Sequence, residues 1–93
     1  MKILAVCGSG LGSSFMLEIN VQEILNELGV TGIEVGHSDL SSATPDMADL
    51  FIAAKDIAEG ASHLGDVVVI DSIIDMDGLR EKLKEELQRR GLL

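Results

Sequence analysis

Cys7-Gly8-Ser9-Gly10-Leu11-Gly12-Ser13-Ser14 joins two segments of different periodicity, and its reading decides the fold. Ahead of it, Ile3-Leu4-Ala5-Val6 is a short unbroken apolar run with β-branched residues, the pattern of a parallel strand buried on both faces. Behind it, Leu17, Val21, Ile24, Leu25 and Leu28 recur at helical spacing and make one apolar face. A strand, a glycine-rich loop and a helix start, in that order, form an anion-binding device. Glycines let successive N–H groups turn inward, and the first turn of the helix adds unpaired donors and a partial positive charge. The only cysteine of the chain stands at the mouth of this loop. A helix N-terminus favours the thiolate, so a nucleophile and a phosphate cradle coincide.

On either side of the loop the strand covers Lys2–Cys7 and the helix runs from about Ser13 to Leu28, with Gly29 as its C-cap. Ile33 and Val35 mark a second, shorter strand with His37 at its end. Residues 38–47 are polar, and Thr44-Pro45-Asp46 reads as a cap followed by proline at the first position of one helical turn. Leu50-Phe51-Ile52-Ala53-Ala54 is a third strand. Residues 55–62 form a short helix with Ile57 and Ala58 facing inward and an end near Gly60. Val67-Val68-Val69-Ile70 is a fourth strand, and Met76, Leu79, Leu83 and Leu87 trace one face of a charged terminal helix. There is no internal repeat, linker or low-complexity segment.

Strands that alternate with helices, each strand a continuous apolar run, define an α/β fold with a parallel sheet covered on both faces. The expected architecture is a small doubly wound, Rossmann-like or flavodoxin-like sheet in the order 2-1-3-4. In such sheets ligands bind beyond the carboxyl ends of the strands, where the order reverses. The cysteine loop lies at that edge, and the ends of the other strands bring His37, Lys55 and Asp71-Ser72 to it.

The totals restrict the function. Ninety-three residues are expected to make one domain, 1–93. Sixteen acidic against seven basic residues give a net charge of −9, and five of the cations (Arg80, Lys82, Lys84, Arg89, Arg90) fall in the last helix. Nucleic-acid binding is therefore not expected, since it needs clustered Lys and Arg. A lone cysteine cannot form an internal disulfide and suits a reducing cytoplasm. No signal peptide or membrane span is legible, so a soluble cytoplasmic protein is expected. No cofactor is called for, and His37 and His63 sit in no metal-ligand spacing; both read as surface loop residues.

Three known loops can be weighed against this one. A Walker A loop needs Gly-Lys-Ser/Thr, and the sequence here is Gly12-Ser13-Ser14. A dinucleotide fingerprint needs G-x-G-x-x-G, whereas these glycines fall at 8, 10 and 12. The cysteine phosphatase or arsenate reductase loop, Cys-x5-Arg-Ser/Thr, also lies between a first strand and helix, but Ser13 stands where its arginine would be. Without that arginine the loop lacks the bidentate clamp and fixed cation that hydrolysis uses. A cradle that accepts phosphate on sulfur and hydrolyses it slowly is a carrier. A low-molecular-weight cysteine phosphatase or arsenate reductase is the alternative enzyme, and a flavodoxin-like module for a nucleotide or flavin the alternative binding protein.

The run Cys7 to Ser14, followed by Phe15-Met16, resembles the IIB component of bacterial PEP-dependent sugar phosphotransferase systems. It is most like the ascorbate-type IIB proteins, which share a Cys-Gly-x-Gly-x-Gly-Ser-Ser loop, and the resemblance extends over essentially the whole chain. It implies a phosphoryl relay in which a phosphohistidine of a IIA partner phosphorylates Cys7, and the phosphocysteine passes the group to a sugar held by the membrane IIC component. Cys7 is then the nucleophile, and Gly8, Ser9, Gly10, Leu11, Gly12, Ser13 and Ser14 bind the phosphoryl oxygens through backbone N–H groups and serine hydroxyls. Lys55 is the only candidate cation for the site, Asp71 reads as a strand-end turn residue, and Phe15 and Ile19 project from the main apolar stripe beside the loop. Docking of IIA or IIC and packing of the first helical turn both account for that last pair.

Overall fold

The computed structural model describes residues 1–7, 13–71 and 75–93, and of Ser13 and Ser14 the backbone alone. Four strands, β1 (Lys2–Cys7), β2 (Glu34–Asp39), β3 (Leu50–Ala54) and β4 (Val67–Ile70), form one sheet in the order β2-β1-β3-β4. Every neighbouring pair is parallel, so all four strands end at the same edge. The helices are α1 (Ser13–Leu28), α2 (Lys55–Ala58) and α3 (Met76–Arg89), with 3-10 segments at Pro45–Met47 and Glu59–Leu64. The expected doubly wound α/β architecture and its strand order are what the structure has.

Side chains alternate across the sheet and build two unequal cores. On one face Ile3 and Ala5 of β1, Leu50 and Ile52 of β3, and Val68 and Ile70 of β4 pack against Leu17, Val21, Ile24 and Leu25 of α1 and Leu79, Leu83 and Leu87 of α3. On the other, Leu4, Val6, Phe51 and Ala53 meet Ala43, Ala61 and Leu64 from the connecting segments, with Leu40, Ala48, Ile57 and Val67 partly buried around them. Two amphipathic helices with leucine at helical spacing seal the first face. Burial of each such side chain stabilises the fold by about 1.5–3 kcal/mol.

Both long helices end in the same way. Gly29 has φ +72°, its N–H donates to the Asn26 carbonyl, and Val30 N–H donates to the Leu25 carbonyl. Gly91 repeats the pattern with φ +78°, its N–H donating to Gln88 and Leu92 N–H to Leu87. These are Schellman endings, which need a residue in the left-handed region and satisfy carbonyls left over by the last turn. The start of α3 is capped by Asp75, whose carboxylate accepts from Gly78 N–H at 3.0 Å.

Two elements differ from the sequence expectation. β2 starts after Ile33 and continues through His37 to Asp39, because each of its residues pairs with β1, from Lys2↔Glu34 to Cys7↔Asp39. His37 is thus inside an edge strand and not in a loop, and His63 lies in the second 3-10 segment. The helix expected over 55–62 is one α-helical turn that tightens to 3-10 geometry and ends at Gly65, φ +97°, instead of near Gly60. At three residues per turn Ala61 and Leu64 share one side and both are buried, while Ile57 and Ala58 are half-buried. Gly60 is inside that segment, and the atom a Cβ there would meet is the end of the Leu40 side chain, Cδ2 at 2.9 Å.

Candidate active site

Chain order fixes where the site lies. From β1 the chain crosses to β2 on one side, and later enters β3 on the other side of β1. The crevice of a doubly wound sheet opens at that reversal, between the carboxyl ends of β1 and β3. Cys7 is the last residue of β1, and Lys55 follows directly on the last residue of β3. Cys7 is half-buried. Its carbonyl accepts a hydrogen bond from Leu40 N–H at 2.8 Å, which ties the end of β1 to the chain leaving β2. Strand alternation sets Cys7 on the same face as Ile3 and Ala5, the face that α1 covers.

Asp39 is the register partner of Cys7 on β2. Hydrogen bonds from Ser42 and Ser41 hold its carboxyl below the usual carboxylate range, with partial desolvation opposing them, and the Ser41 Oγ–Asp39 Oδ2 distance is 3.0 Å. Two positions earlier on β2, His37 Nδ1 lies 2.6 Å from Glu18 Oε1 of α1. Its ring also meets that of Phe15, with centroids 5.5 Å apart and planes inclined by 56°. Phe15 is nevertheless 50% exposed, Met16 55% and Ile19 43%, so the first turns of α1 carry an apolar surface next to the end of β1.

Of the residues singled out in the sequence, Cys7, Lys55 and Asp71 are brought to one edge, where Lys55 and Asp71 are exposed. Residues 8–12 of the expected phosphate loop, together with Ser72, lie outside the described residues. Ser13 and Ser14 open α1, the helix start the loop was expected to feed. His63 sits on the segment returning to the amino end of β4, at the opposite edge. Asp39 and the Phe15–Glu18–His37 cluster were not legible as neighbours of the cysteine. Phe15 and Glu18 are three apart on one helix, and His37 and Asp39 two apart on one strand, but only the β1–β2 register sets Asp39 opposite Cys7, and only the packing of α1 brings Phe15 and Glu18 to His37. Among the described residues no group of three or more His, Cys, Asp or Glu side chains could hold a metal ion, and no helix is long and apolar enough to cross a membrane.

A four-stranded parallel sheet in this order, with a cysteine at its switch point, is a small flavodoxin-like α/β fold. Residues 2–90 match the family model of the lactose/cellobiose-specific IIB subunit of the phosphotransferase system, and the chain belongs to that family. It is therefore a IIB component, a phosphotransferase part of a sugar-transport system that works with IIA and IIC components. Among curated proteins it is similar to the ascorbate-specific phosphotransferase-system EIIB component of Mycoplasma pneumoniae, 24% identical over 90 residues that cover 94% of this chain and 95% of that one. Among solved structures it is similar to the lactose-specific IIB component domain of Streptococcus pneumoniae, with a TM-score of 0.61, 22% identity and 95% of each chain covered. A low-molecular-weight protein tyrosine phosphatase from Bacillus subtilis also aligns, with a TM-score of 0.64, 16% identity and 96% and 98% coverage, a likeness of fold.

Proposed function

We propose that Cys7 carries the phosphoryl group, taking it from a phosphohistidine of a IIA protein and giving it to a sugar held by the IIC component on the cytoplasmic side of the membrane. The observation that carries this reading is the position of the sole cysteine, half-buried, at the carboxyl end of β1 and beside the β1/β3 reversal. In the first transfer the thiol gives up its proton and a sulfur lone pair forms the S–P bond. The N–P bond of the donor breaks, its electron pair stays on the imidazole nitrogen, and that nitrogen takes a proton. In the second, the sugar hydroxyl oxygen forms the O–P bond, the S–P bond breaks, and the hydroxyl proton is balanced by the thiolate released.

Phosphoryl transfer asks mainly for in-line positioning and stabilisation of the transferred oxygens. The donors assigned to that task are the backbone N–H groups and serine hydroxyls of Gly8, Ser9, Gly10, Leu11, Gly12, Ser13 and Ser14, and the chain acts as one domain over residues 1–93. Ser13 stands where a phosphatase of this loop type has arginine, which favours storage of the phosphocysteine over its hydrolysis. The sugar is of the ascorbate type: the support is the similarity to the ascorbate-specific protein together with the Cys-Gly-x-Gly-x-Gly-Ser-Ser loop. The test is phosphoryl labelling from phosphoenolpyruvate through the general phosphotransferase proteins and a IIA protein. The wild-type chain takes up label and Cys7→Ser does not pass it to sugar; steady turnover of an aryl phosphate would instead favour the phosphatase reading.

A further inference from the structure

Resting on that reading, we propose that Lys55 is the cation of the site, pairing with the phosphoryl oxygens while the group is on Cys7. Three observations on the fold point there. First, β1 and β3 are adjacent and parallel, with Val6 opposite Ala53, so Cys7 is followed across the ladder by Ala54 and then by Lys55. The two residues flank the crevice where the strand order reverses.

Second, the other cations are committed elsewhere or are distant. Lys2 pairs with Glu34 at the amino end of the sheet, Arg80 with Glu27 and Asp77, Arg89 with Glu86, and Arg90 with Asp66 and Glu86. The Lys82 ammonium donates to the Val69 carbonyl on the outer edge of β4, and Lys84 is in the middle of α3. Lys55 is exposed and forms no ion pair among the described residues, so its ammonium is available to an incoming anion.

Third, the charged groups near it among the described residues are carboxylates. Asp39 stands opposite Cys7 and its neighbours hold it ionised; Asp71 closes β4, and Asp56 follows Lys55. A phosphoryl group on Cys7 adds close to two negative charges at pH 7. In a chain of net charge −9 with no arginine in the loop, the Lys55 ammonium at the crevice offsets that charge. Lysine acts here as a point charge, so arginine is an adequate substitute.

Two measurements on the purified chain test this, one of which needs no partner. Alkylation of Cys7 by iodoacetate, an anion, is compared with alkylation by neutral iodoacetamide. Lys55→Met lowers the iodoacetate-to-iodoacetamide rate ratio about two- to fivefold, the range of an exposed charge pair. Lys55→Arg restores it, and Lys84→Met leaves it unchanged. Phosphoryl uptake from a IIA protein charged from phosphoenolpyruvate falls about tenfold in Lys55→Met, less than the roughly 10²–10³ lost with a buried oxyanion donor. The melting temperature stays at the wild-type value in each variant. A Lys55→Met chain that keeps both the ratio and the uptake rate overturns the assignment and leaves the relay at Cys7 intact. A wild-type chain that takes up no phosphoryl group defeats the relay, and the alkylation ratio then decides the Lys55–Cys7 pairing alone.

Discussion

The two ends of the sheet use their charges differently. At the amino end, Lys2 N–H donates to Asp49 Oδ2, Asp49 N–H donates to the Lys2 carbonyl, and Lys2 pairs with Glu34. Arg90, at the close of α3, joins Asp66 at 2.7 Å and Glu86 at 3.0 Å in the same region. At the carboxyl end stand Cys7, Asp39, Lys55 and Asp71, with exposed Phe15, Met16 and Ile19 beside them. Apolar area and an uncommitted cation are left facing solvent where the strand order reverses, whereas charges at the other end bind elements of the chain to one another. One end is fitted to hold the fold together, the other to receive something from outside it.

Cys7→Ser abolishes delivery of phosphoryl to sugar, yet shifts the melting temperature little, since Cys7 belongs to neither buried core. A cooperative loss of structure in that variant would mean that the carboxyl end also holds the fold. Arg90→Ala does the reverse. It removes two ion pairs and costs about 1 kcal/mol, or about 5 °C in melting temperature, with phosphoryl uptake unchanged.

Asp39→Asn probes the carboxyl end alone. Removing a negative charge opposite Cys7 favours the thiolate, so alkylation by iodoacetamide at pH 7 quickens about two- to threefold. An unchanged rate would show that the Asp39 charge is fully screened from the sulfur. The smallest effect is the pH dependence of stability. Hydrogen bonds and charges from Arg89 and Arg90 hold the Glu86 carboxyl below its ordinary value, against its partial desolvation, and Asp39 and Asp46 are lowered by their serine and threonine neighbours. A carboxyl depressed in the folded state stabilises the fold above its ordinary pKa and loses that contribution as pH falls through the lower, folded value. The melting temperature therefore declines as pH drops below about 4.5, the ordinary carboxyl value. Glu86→Gln makes that decline shallower without removing it; an identical slope would deny Glu86 its part.

What could be read from the sequence follows from which residues carry a periodic signal. β1, β3 and β4 are unbroken apolar runs, and α1 and α3 have apolar residues at helical spacing, so the bounds of the three strands and α1, the buried face of α3 and the sheet order were legible. β2 is Glu34-Val-Gly-His-Ser-Asp39, an edge strand with one large apolar residue, and its length is set by the ladder with β1 instead of its own pattern. The 3-10 course of Glu59–Leu64 was hidden for a related reason: Ala61 and Leu64 are too few to show a period. Near the proposed site, the place of Cys7 at a strand end was legible from the apolar run before it and the glycines after it, and that of Lys55 from the apolar run it follows. Asp39 against Cys7, and Phe15 and Glu18 against His37, depend on strand register and helix packing, which no local pattern encodes.

Whether sulfur carries the phosphoryl group is decided by mass spectrometry of the phosphorylated chain after proteolysis. The peptide spanning Cys7 gains one phosphoryl group, lost on treatment that cleaves a sulfur–phosphorus bond, while the peptides containing His37 and His63 gain none. A phosphoryl group on either histidine, with the Cys7 peptide unmodified, would mean that the cysteine is not the carrier.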